Sequence, residues 1–219
     1  MLQQPQAAKV TLEEVEQKRR AFAAAVKAFT AQKGRYHDRA PDLPPEKVHG
    51  CEVLANRYEL LDRLPKGGVY AEIGTDRGDF SAEILRRCQP DMLHLFDIDL
   101  GRINNPEILS RLETGDGVRT HAGDSSTSIS RLPNGTFDVI YIDGDHIYDG
   151  VKRDIEASVP KLKPHGILVF NDYSVWSPTT MMRCGVARAV NEFVRDNPWK
   201  LRYLALQSMM YNDVMLVCL

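Results

Sequence analysis

From about residue 68 onward, short apolar stretches alternate with longer stretches in which apolar residues recur every three or four positions. The short stretches are rich in β-branched and aromatic residues, and several are apolar throughout, as expected of strands buried on both faces of a parallel sheet. The longer stretches have the periodicity of amphipathic helices. This pattern predicts seven strands, which read GVYAEIG, MLHLFDID, VRTHAGD, FDVIYIDGD, GILVFNDY, LRYLALQ and DVMLVCL.

The connection between the last two predicted strands is the short segment SMMYN. A parallel crossover needs about a dozen residues or more, so these two strands must form an antiparallel hairpin. The predicted fold is therefore α/β: a Rossmann-like, seven-stranded, mostly parallel sheet with a C-terminal antiparallel hairpin and helices on both faces.

The N-terminal part of the chain has a different pattern. Thr11 and Glu14 have the spacing of a capping box, and the apolar residues after them predict a helix from about residue 11 to 31. The segment RAPDLPPEKVHG is rich in proline and predicts an irregular connection, followed by a second helix at about residues 51–64. We therefore expect an N-terminal helical extension with its connection, residues 1–50, and a main domain, residues 51–219. The extension can pack on its own domain or on a second copy of the chain, which would make a homodimer.

Charge and cysteine content narrow the function classes. The 28 Lys and Arg residues nearly balance the 30 Asp and Glu residues, so neither a nucleic acid nor a membrane surface is an expected partner. No apolar stretch approaches the roughly 18 residues of a membrane span, and the N-terminus has no signal-peptide core. The four cysteines are far apart and form no C-x-x-C pair, which is typical of reduced thiols in a cytoplasmic protein.

The ends of the predicted strands carry the candidate chemistry, because ligands of open α/β sheets bind at the carboxyl ends of the strands. The first strand runs into EIGTDRG, with Gly74 and Gly78 four residues apart. This spacing differs from the G-x-G-x-x-G fingerprint of dinucleotide-binding proteins and disfavours a dehydrogenase. Glu72 would repel a pyrophosphate, yet it suits a ligand with an ammonium or sulfonium group.

Acidic residues follow the second and third strands as well. Asp97 ends the second strand, where Rossmann-like folds place an acid that binds ribose hydroxyls. Asp99 is the alternative, because neighbouring strand positions face opposite sides. Asp124 and Ser125 follow the third strand, where they could contact a purine amino group, or Asp124 could be the N-cap of the next helix.

The order of these motifs resembles that of class I S-adenosylmethionine-dependent methyltransferases over about residues 50–219. The stretches GVYAEIGTDRGDFSAEIL, YIDGDHIYDGVKRDI and GVARAVNEF are similar to a small bacterial subfamily grouped with macrocin-type O-methyltransferases and cephalosporin-hydroxylase-like proteins. The resemblance implies S-adenosylmethionine as cofactor. It also implies a set of cofactor-binding residues: Glu72, Gly74, Thr75 and Gly78 near the methionine end, Asp97 at the ribose, Asp124 and Ser125 at the adenine, and Asp143 beside them.

The fourth and fifth strands end in IDGDHIYDG and FNDY. Because parallel strand ends meet at one edge of a sheet, Asp143, Asn171 and Asp172 are expected to converge as oxygen ligands of a hard cation such as Mg²⁺. Relatives with this arrangement bind a divalent metal there and use the histidine three residues past the first acid, here His146, as general base. Asn171 departs from that pattern, since those relatives have an acid at its position. The alternative is that Asp143 and Asp172 bind acceptor hydroxyls or water without an ion.

The other two acids of IDGDHIYDG are expected to have structural roles. Asp145 would face the cofactor or hydrogen-bond the backbone of the loop, and Asp149 would lie at the positive end of the following helix.

The function implied by the resemblance is methyl transfer to an oxygen of a hydroxylated small molecule such as a sugar, a natural product or a phenol. His146 and Asp143 would be the catalytic residues, and the loop DYSVWSPTTMMRCG would form the wall of the acceptor site. Two alternatives stay open: a cephalosporin-hydroxylase-like or non-catalytic cofactor-binding protein, and an N-methyltransferase. The N-P-P-Y or D-P-P-Y run of methyltransferases that act on exocyclic amines is absent after strand four. Fold alone does not separate these functions.

Overall fold

The computed structural model describes residues 10–37 and 39–219, which divide into two compact units on either side of residue 38. The first unit contains helix α1, Leu12–Lys33. Its capping box is formed as predicted: the Glu14 amide donates to Thr11 Oγ1 (3.2 Å), and the Thr11 amide donates to Glu14 Oε2 (2.7 Å). After the helix, Tyr36 packs edge-on against Phe22 and Phe29. The predicted N-terminal helix is therefore confirmed.

Residues 39–50 belong to the second unit. Lys47 Nζ donates to the backbone oxygen of Asn197 (2.6 Å), and Asn191 Nδ2 donates to the backbone oxygen of Pro41 (2.8 Å). A domain boundary at residue 50 stays a prediction. Within the described ranges, none of the helices has the length and apolar content that crossing a membrane requires, and the four cysteines, all within these ranges, are free thiols.

The second unit alternates strands and helices. Its strands are β1 Glu52–Leu54, β2 Val69–Ile73, β3 Met92–Asp97, β4 Val118–Ala122, β5 Phe137–Ile142, β6 Leu162–Phe170, β7 Trp176–Ser177, β8 Met182–Arg183, β9 Trp199–Ala205 and β10 Asp213–Cys218. Its helices are α2 Pro45–Val48, α3 Arg57–Arg63, α4 Asp79–Cys88, α5 Pro106–Thr114, α6 Ser125–Ser130, α7 Tyr148–Ser158 and α8 Val186–Asp196.

Among the described residues, eight of these strands form one sheet in the order β1-β9-β10-β6-β5-β2-β3-β4, and β7 pairs with β8 separately. The strands β6, β5, β2, β3 and β4 are parallel to their neighbours in this series. Strand β10 is antiparallel to both β6 and β9. The predicted Rossmann-like, mostly parallel fold with its antiparallel C-terminal hairpin is confirmed, but the sheet has β1 as an eighth strand where seven were predicted.

The predicted helix at residues 51–64 is wrong in its first part. Glu52–Leu54 instead forms the edge strand β1, which pairs in parallel with Tyr203–Ala205 of β9. Helix α3 begins only after Asn56, whose side chain accepts a hydrogen bond from the Glu59 amide (3.0 Å). The sheet edge and this N-cap, rather than apolar periodicity, therefore decide where the helix starts.

Helices cover both faces of the sheet, as predicted. On one face, buried residues of α3, α4 and α5, such as Leu60, Leu85 and Ile108, share a core with alternate residues of the strands. On the other face, residues of α6, α7 and α8, such as Ile129 and Val190, form a second core. Neighbouring residues of β2 and β3 point into different cores, which is the pattern of strands buried on both sides.

A partly buried histidine pair joins β3 and β4. His94 Nδ1 and His121 Nε2 are 2.8 Å apart, and the two rings stack at a centroid distance of 5.0 Å. Burial, together with the neighbouring His121 and Arg119, lowers the pKa of His94 to about 4. Burial also lowers the pKa of His121. Both rings are therefore neutral at pH 7 and share one hydrogen bond.

This pair predicts a loss of stability in mild acid. The unfolded chain binds a proton at His94 near pH 6.5, and the folded protein does so only near pH 4. The contribution of neutral His94 to stability is therefore complete above about pH 6.5 and is lost as pH falls toward about 4. We expect a loss on the order of 2 kcal/mol in the free energy of unfolding, measured by urea unfolding at about pH 7.5 and about pH 4.5. His94→Gln should reduce this pH dependence, whereas His49→Gln at an exposed position should keep it. If the free energy of unfolding fell equally in acid for His94→Gln and for the unchanged protein, this explanation would be wrong.

Candidate functional site

The carboxyl ends of four strands are joined by backbone hydrogen bonds that continue the sheet into the loops. The Gly74 amide donates to Phe96 O (2.8 Å), the Asp143 amide to Ile73 O (2.7 Å), and the Asn171 amide to Ile142 O (3.0 Å). Gly74 has φ +90°, and a Cβ at this position would lie 2.1 Å from the backbone oxygen of Asp143. Only glycine fits here, because the loop after β5 crosses directly over it.

A cavity of about 480 Å³ opens at this edge of the sheet. This volume lies within the range of small-molecule and cofactor sites. Five of the predicted cofactor residues line the cavity, namely Gly74, Asp97, Asp124, Ser125 and Asp143. A ligand in this cavity would lie against these five residues.

Asp97 is held in place by the loops around it. Its two carboxylate oxygens accept hydrogen bonds from the backbone amides of Asp76 (2.8 Å) and Asp99 (2.9 Å). Asp99 is exposed and accepts a hydrogen bond from the Gly101 amide (3.1 Å). Of these two acids, the structure places Asp97 at the cavity and Asp99 in a capping role outside it.

Asp124 has the capping role considered for it and also lies at the cavity, while its contact with a purine stays a prediction. Its side chain is the N-cap of α6, accepting from the Thr127 amide (2.8 Å) and from Ser126 Oγ (2.6 Å), and it also lines the cavity. These hydrogen bonds lower the pKa of Asp124. The carboxylate that faces the cavity is therefore ionised and fixed by its own helix start.

Asp154 was not predicted, although it lines the same cavity. It accepts a hydrogen bond from Ser125 Oγ (2.6 Å), and burial raises its pKa to about 6. Sequence pattern could have found it, because Asp154 interrupts the apolar stripe formed by Val151 and Ile155 on α7. An acid at an inward helical position is unusual unless it has a partner or a ligand.

Three predicted cofactor residues do not line the cavity. Glu72 is only 1% exposed, accepts a hydrogen bond from Ser81 Oγ, and burial raises its pKa to about 8. Thr75 is buried, and its hydroxyl faces Phe96 O at 3.5 Å. Gly78, with φ +84°, is the N-cap of α4. A direct contact between these residues and a cofactor stays a prediction.

The predicted convergence of the ends of β5 and β6 is present. Asn171 Nδ2 lies 2.7 Å from Asp143 Oδ1 and 2.7 Å from Asp172 Oδ1. His146 Nε2 lies 3.3 Å from Asp143 Oδ1 and 3.7 Å from Asp172 Oδ2. The four side chains therefore form one polar cluster beside the cavity, to which Asp143 also belongs.

The cluster changes the titration of its members. Burial lowers the pKa of His146, but the hydrogen bond and charge of Asp143 and the charges of Asp172 and Asp145 outweigh it, so the pKa lies above its ordinary value. Burial raises the pKa of Asp172, which adopts the left-handed conformation with φ +52°. Aspartate adopts this conformation more readily than most residues other than glycine.

The atoms that Asp143, Asn171 and Asp172 present to one another do not fit a hard divalent cation. The group that Asn171 turns toward both carboxylates is its NH₂, and its Oδ1 accepts a hydrogen bond from Gln207 Nε2 (3.0 Å). Divalent cations such as Mg²⁺ take oxygen ligands. In the part of the chain that the structure describes, no three His, Cys, Asp or Glu side chains are arranged to hold a metal ion.

A second set of buried polar residues supports Asp143 and was not predicted. Arg57, from the start of α3, lies 3.4 Å from Asp143 Oδ2, donates to the Tyr141 hydroxyl (2.6 Å), and lies 3.5 Å from Asp213 Oδ2. The Tyr141 hydroxyl donates to Asp213, whose side chain is completely buried. The Arg57 guanidinium also lies 3.6 Å from the centre of the Phe80 ring. Arg57 therefore supplies the positive charge that this acidic region needs.

Asp145 and Asp149, the other two acids of the loop after β5, have local roles. Asp145 lines the cavity and accepts a hydrogen bond from the Ile147 amide (2.9 Å). Asp149 lies in the first turn of α7, at its positive end. Both observations agree with the expected structural roles.

The segment that follows Asp172 returns to His146. It forms the short β7–β8 hairpin, and the Gly185 amide after it donates to His146 O (2.7 Å). Ser177 and Thr179 of this segment share hydrogen bonds with the Tyr211 hydroxyl from the loop between β9 and β10. The predicted acceptor loop is thus anchored at both ends next to the polar cluster.

Comparison with known proteins agrees with this architecture. Residues 71–173 match the family model described as a methyltransferase domain. An uncharacterised protein of Acanthamoeba polyphaga mimivirus is 39% identical over 161 residues, which are 68% of this chain and 66% of that protein. The chain therefore spans slightly less than two thirds of this relative.

Solved structures with this fold include a SAM-dependent methyltransferase from Aquifex aeolicus, with a TM-score of 0.57 and 14% identity over 80% of this chain and 94% of that one. A candidate methyltransferase from Streptococcus mutans in complex with SAH has a TM-score of 0.55 and 14% identity, over 74% of this chain and 96% of that one. At these identities the likeness concerns the fold. The chain therefore has the fold of these methyltransferases, and its residues 71–173 are similar to a methyltransferase domain.

Proposed function

We propose that the protein transfers a methyl group from S-adenosylmethionine to an oxygen of a hydroxylated small molecule. The observation that carries this proposal is that Asp143, which lines the cavity together with Gly74, Asp97, Asp124 and Ser125, lies 3.3 Å from His146 Nε2. A cofactor pocket and a proton acceptor thus lie side by side at the carboxyl edge of the sheet.

The cavity has the chemistry that an adenosine moiety needs. Asp97 presents an acid at the end of β3, where ribose hydroxyls bind in Rossmann-like folds. Asp124, Ser125 and Asp154 add acceptors and a hydroxyl on the wall formed by α6 and α7. The acidic lining also favours a cofactor with a positive charge. When bound, S-adenosylmethionine supplies a methyl group on a sulfonium sulfur.

His146 is proposed as the general base. Its Nε2 faces the carboxylates of Asp143 and Asp172, so in the neutral ring Nε2 carries the hydrogen and Nδ1 can accept the proton of an acceptor hydroxyl. The His146 side chain is 38% exposed and thus open to an acceptor. Asp143 would fix the ring and stabilise its charged form, while the surrounding loops align the acceptor oxygen with the methyl group.

The acceptor would lie against the segment of residues 173–183. This segment carries the exposed side chains of Met181 and Met182, and the neighbouring loop adds Met209 and Met210. Methionine is flexible and polarizable, so such a surface suits an acceptor with an apolar or aromatic part. Oxygen is preferred over nitrogen because of the resemblance to macrocin-type O-methyltransferases and because no N-P-P-Y or D-P-P-Y run follows β5. The near balance of charge favours a small molecule over a nucleic acid.

The cofactor part of the proposal is tested by titration with S-adenosylmethionine. We expect calorimetry to show one binding site, and Asp97→Asn to weaken binding by about tenfold or more, because a charge-assisted hydrogen bond is lost. Asp99→Asn is the matched control, since it changes the same residue type two positions away, outside the cavity. No binding to the unchanged protein would exclude the proposed function. Equal weakening in both variants would remove Asp97 from the cofactor site.

A further inference from the structure

A chain of hydrogen bonds fixes the orientation of the Asn171 amide. It begins at Asp213, which is completely buried, accepts the Tyr141 hydroxyl on Oδ2, and faces Arg57 on the same side. Its other oxygen, Oδ1, accepts a hydrogen bond from Gln207 Nε2. Gln207 must therefore present its NH₂ group, rather than its carbonyl oxygen, to the buried carboxylate.

The same Gln207 nitrogen also donates to Asn171 Oδ1 (3.0 Å). Because Oδ1 of Asn171 is thereby turned toward Gln207, the Nδ2 group must point the other way, where it lies 2.7 Å from both Asp143 Oδ1 and Asp172 Oδ1. Reversing the Asn171 amide would bring two NH₂ groups together at Gln207 and turn an oxygen toward two carboxylates. In the observed orientation, Asn171 Oδ1, Asn171 Nδ2 and Gln207 Nε2 all have hydrogen-bond partners.

We propose that the Asn171 amide, oriented by Gln207, takes the place of a divalent cation in this site and joins Asp143 to Asp172 by two N–H···O hydrogen bonds. A metal ion would have to displace the NH₂ group from both carboxylates. Arg57, 3.4 Å from Asp143, supplies positive charge to the site. The site is then ready for acid/base chemistry by His146 without a metal.

The catalytic meaning of this inference rests on the proposed function, but its test does not. Mn²⁺ binding is measured without S-adenosylmethionine, by calorimetry and by the electron paramagnetic resonance signal of the free ion. We expect the unchanged protein to bind Mn²⁺ no more tightly than about 1 mM. Asn171→Asp, which restores a third carboxylate at the strand ends, should bind Mn²⁺ at least about tenfold more tightly.

Two further variants make the comparison specific. Asn104→Asp adds the same charge at an exposed position outside the cluster and should leave Mn²⁺ binding unchanged. Gln207→Leu removes the group that orients Asn171, so the amide can turn its oxygen inward, and Mn²⁺ binding should tighten severalfold. This variant decides the question if Asn171→Asp does not fold.

Binding of one Mn²⁺ by the unchanged protein, abolished by Asp143→Asn, would overturn the inference. So would Mn²⁺ binding that is equally weak in the unchanged protein, Asn171→Asp and Gln207→Leu, because the amide would then not be what replaces the ion. If the separate titration shows no S-adenosylmethionine binding, the proposed function is refuted. The inference about Asn171 is then still decided by the Mn²⁺ measurements.

Discussion

Replacing Gly74 with alanine is expected to destabilise the protein by at least about 3 kcal/mol, because it combines backbone strain with a steric clash. Gly74 has φ +90°, and the added Cβ would lie 2.1 Å from Asp143 O and 2.8 Å from Gly144 Cα. Both contacts are with backbone, which cannot move aside as a flexible side chain can. The loop after β5 would therefore have to leave the position that its hydrogen bond to Ile73 O fixes.

Gly115→Ala is the matched control for this prediction. Gly115 also has a positive φ, +71°, but a Cβ there would meet nothing within 4 Å. Only the backbone strain remains in Gly115→Ala, so we expect its free energy of unfolding to fall by about 1 kcal/mol. Urea unfolding of both variants measures the difference. If the two losses were equal, the close approach of Asp143 would not be the reason for glycine at position 74. In Gly74→Ala protein that still folds, S-adenosylmethionine binding should weaken more than in Gly115→Ala.

Gly74 illustrates which part of the site could be predicted from the sequence. The strand that ends in glycine was recognisable from its apolar run and its turn residues, and the importance of the glycine followed from its position. The family resemblance implies that Gly74 lies near the methionine end of the cofactor. The structure adds a second reason, since the backbone of Asp143 occupies that space.

The convergence of Asp143, His146, Asn171 and Asp172 was also predictable, because the ends of neighbouring parallel strands share one edge of the sheet. Periodicity gives the strand ends, and parallel pairing gives the edge. The orientation of the Asn171 amide was not predictable in this way. It depends on Gln207, which follows β9 and reaches Asn171 only through the antiparallel order of β9, β10 and β6.

The role of Arg57 could not be predicted from the sequence either. It lies in a stretch that apolar periodicity assigned to a single helix, and nothing local relates it to Asp143, which is 86 positions away in the chain. The edge strand β1 shifts the start of α3 and so places Arg57 at its first residue. Contacts of this kind depend on the assembled fold, whereas Asp154 could have been found from its inward position on α7.

The His146→Gln variant is expected to lower methyl transfer to a hydroxylated acceptor by about 100-fold or more, the usual contribution of a general base. Glutamine preserves much of the side-chain volume but cannot accept and release a proton at neutral pH. S-adenosylmethionine affinity should stay within about twofold of the unchanged protein, since His146 is not among the residues that line the cavity. The measurement is release of S-adenosylhomocysteine across a panel of sugars, phenols and larger hydroxylated natural products.

His165→Gln is the control for this variant, because His165 is exposed and lies near the start of β6, away from the end that carries Asn171. Asp143→Asn should reduce turnover as well, and the double variant should be little worse than His146→Gln alone, because the two residues are expected to act as one unit. If the loss of turnover in the double variant equalled the product of the two single losses, His146 and Asp143 would have separate roles. Full turnover in His146→Gln would show that the base lies elsewhere, whereas loss of cofactor affinity would place His146 in binding rather than in proton transfer.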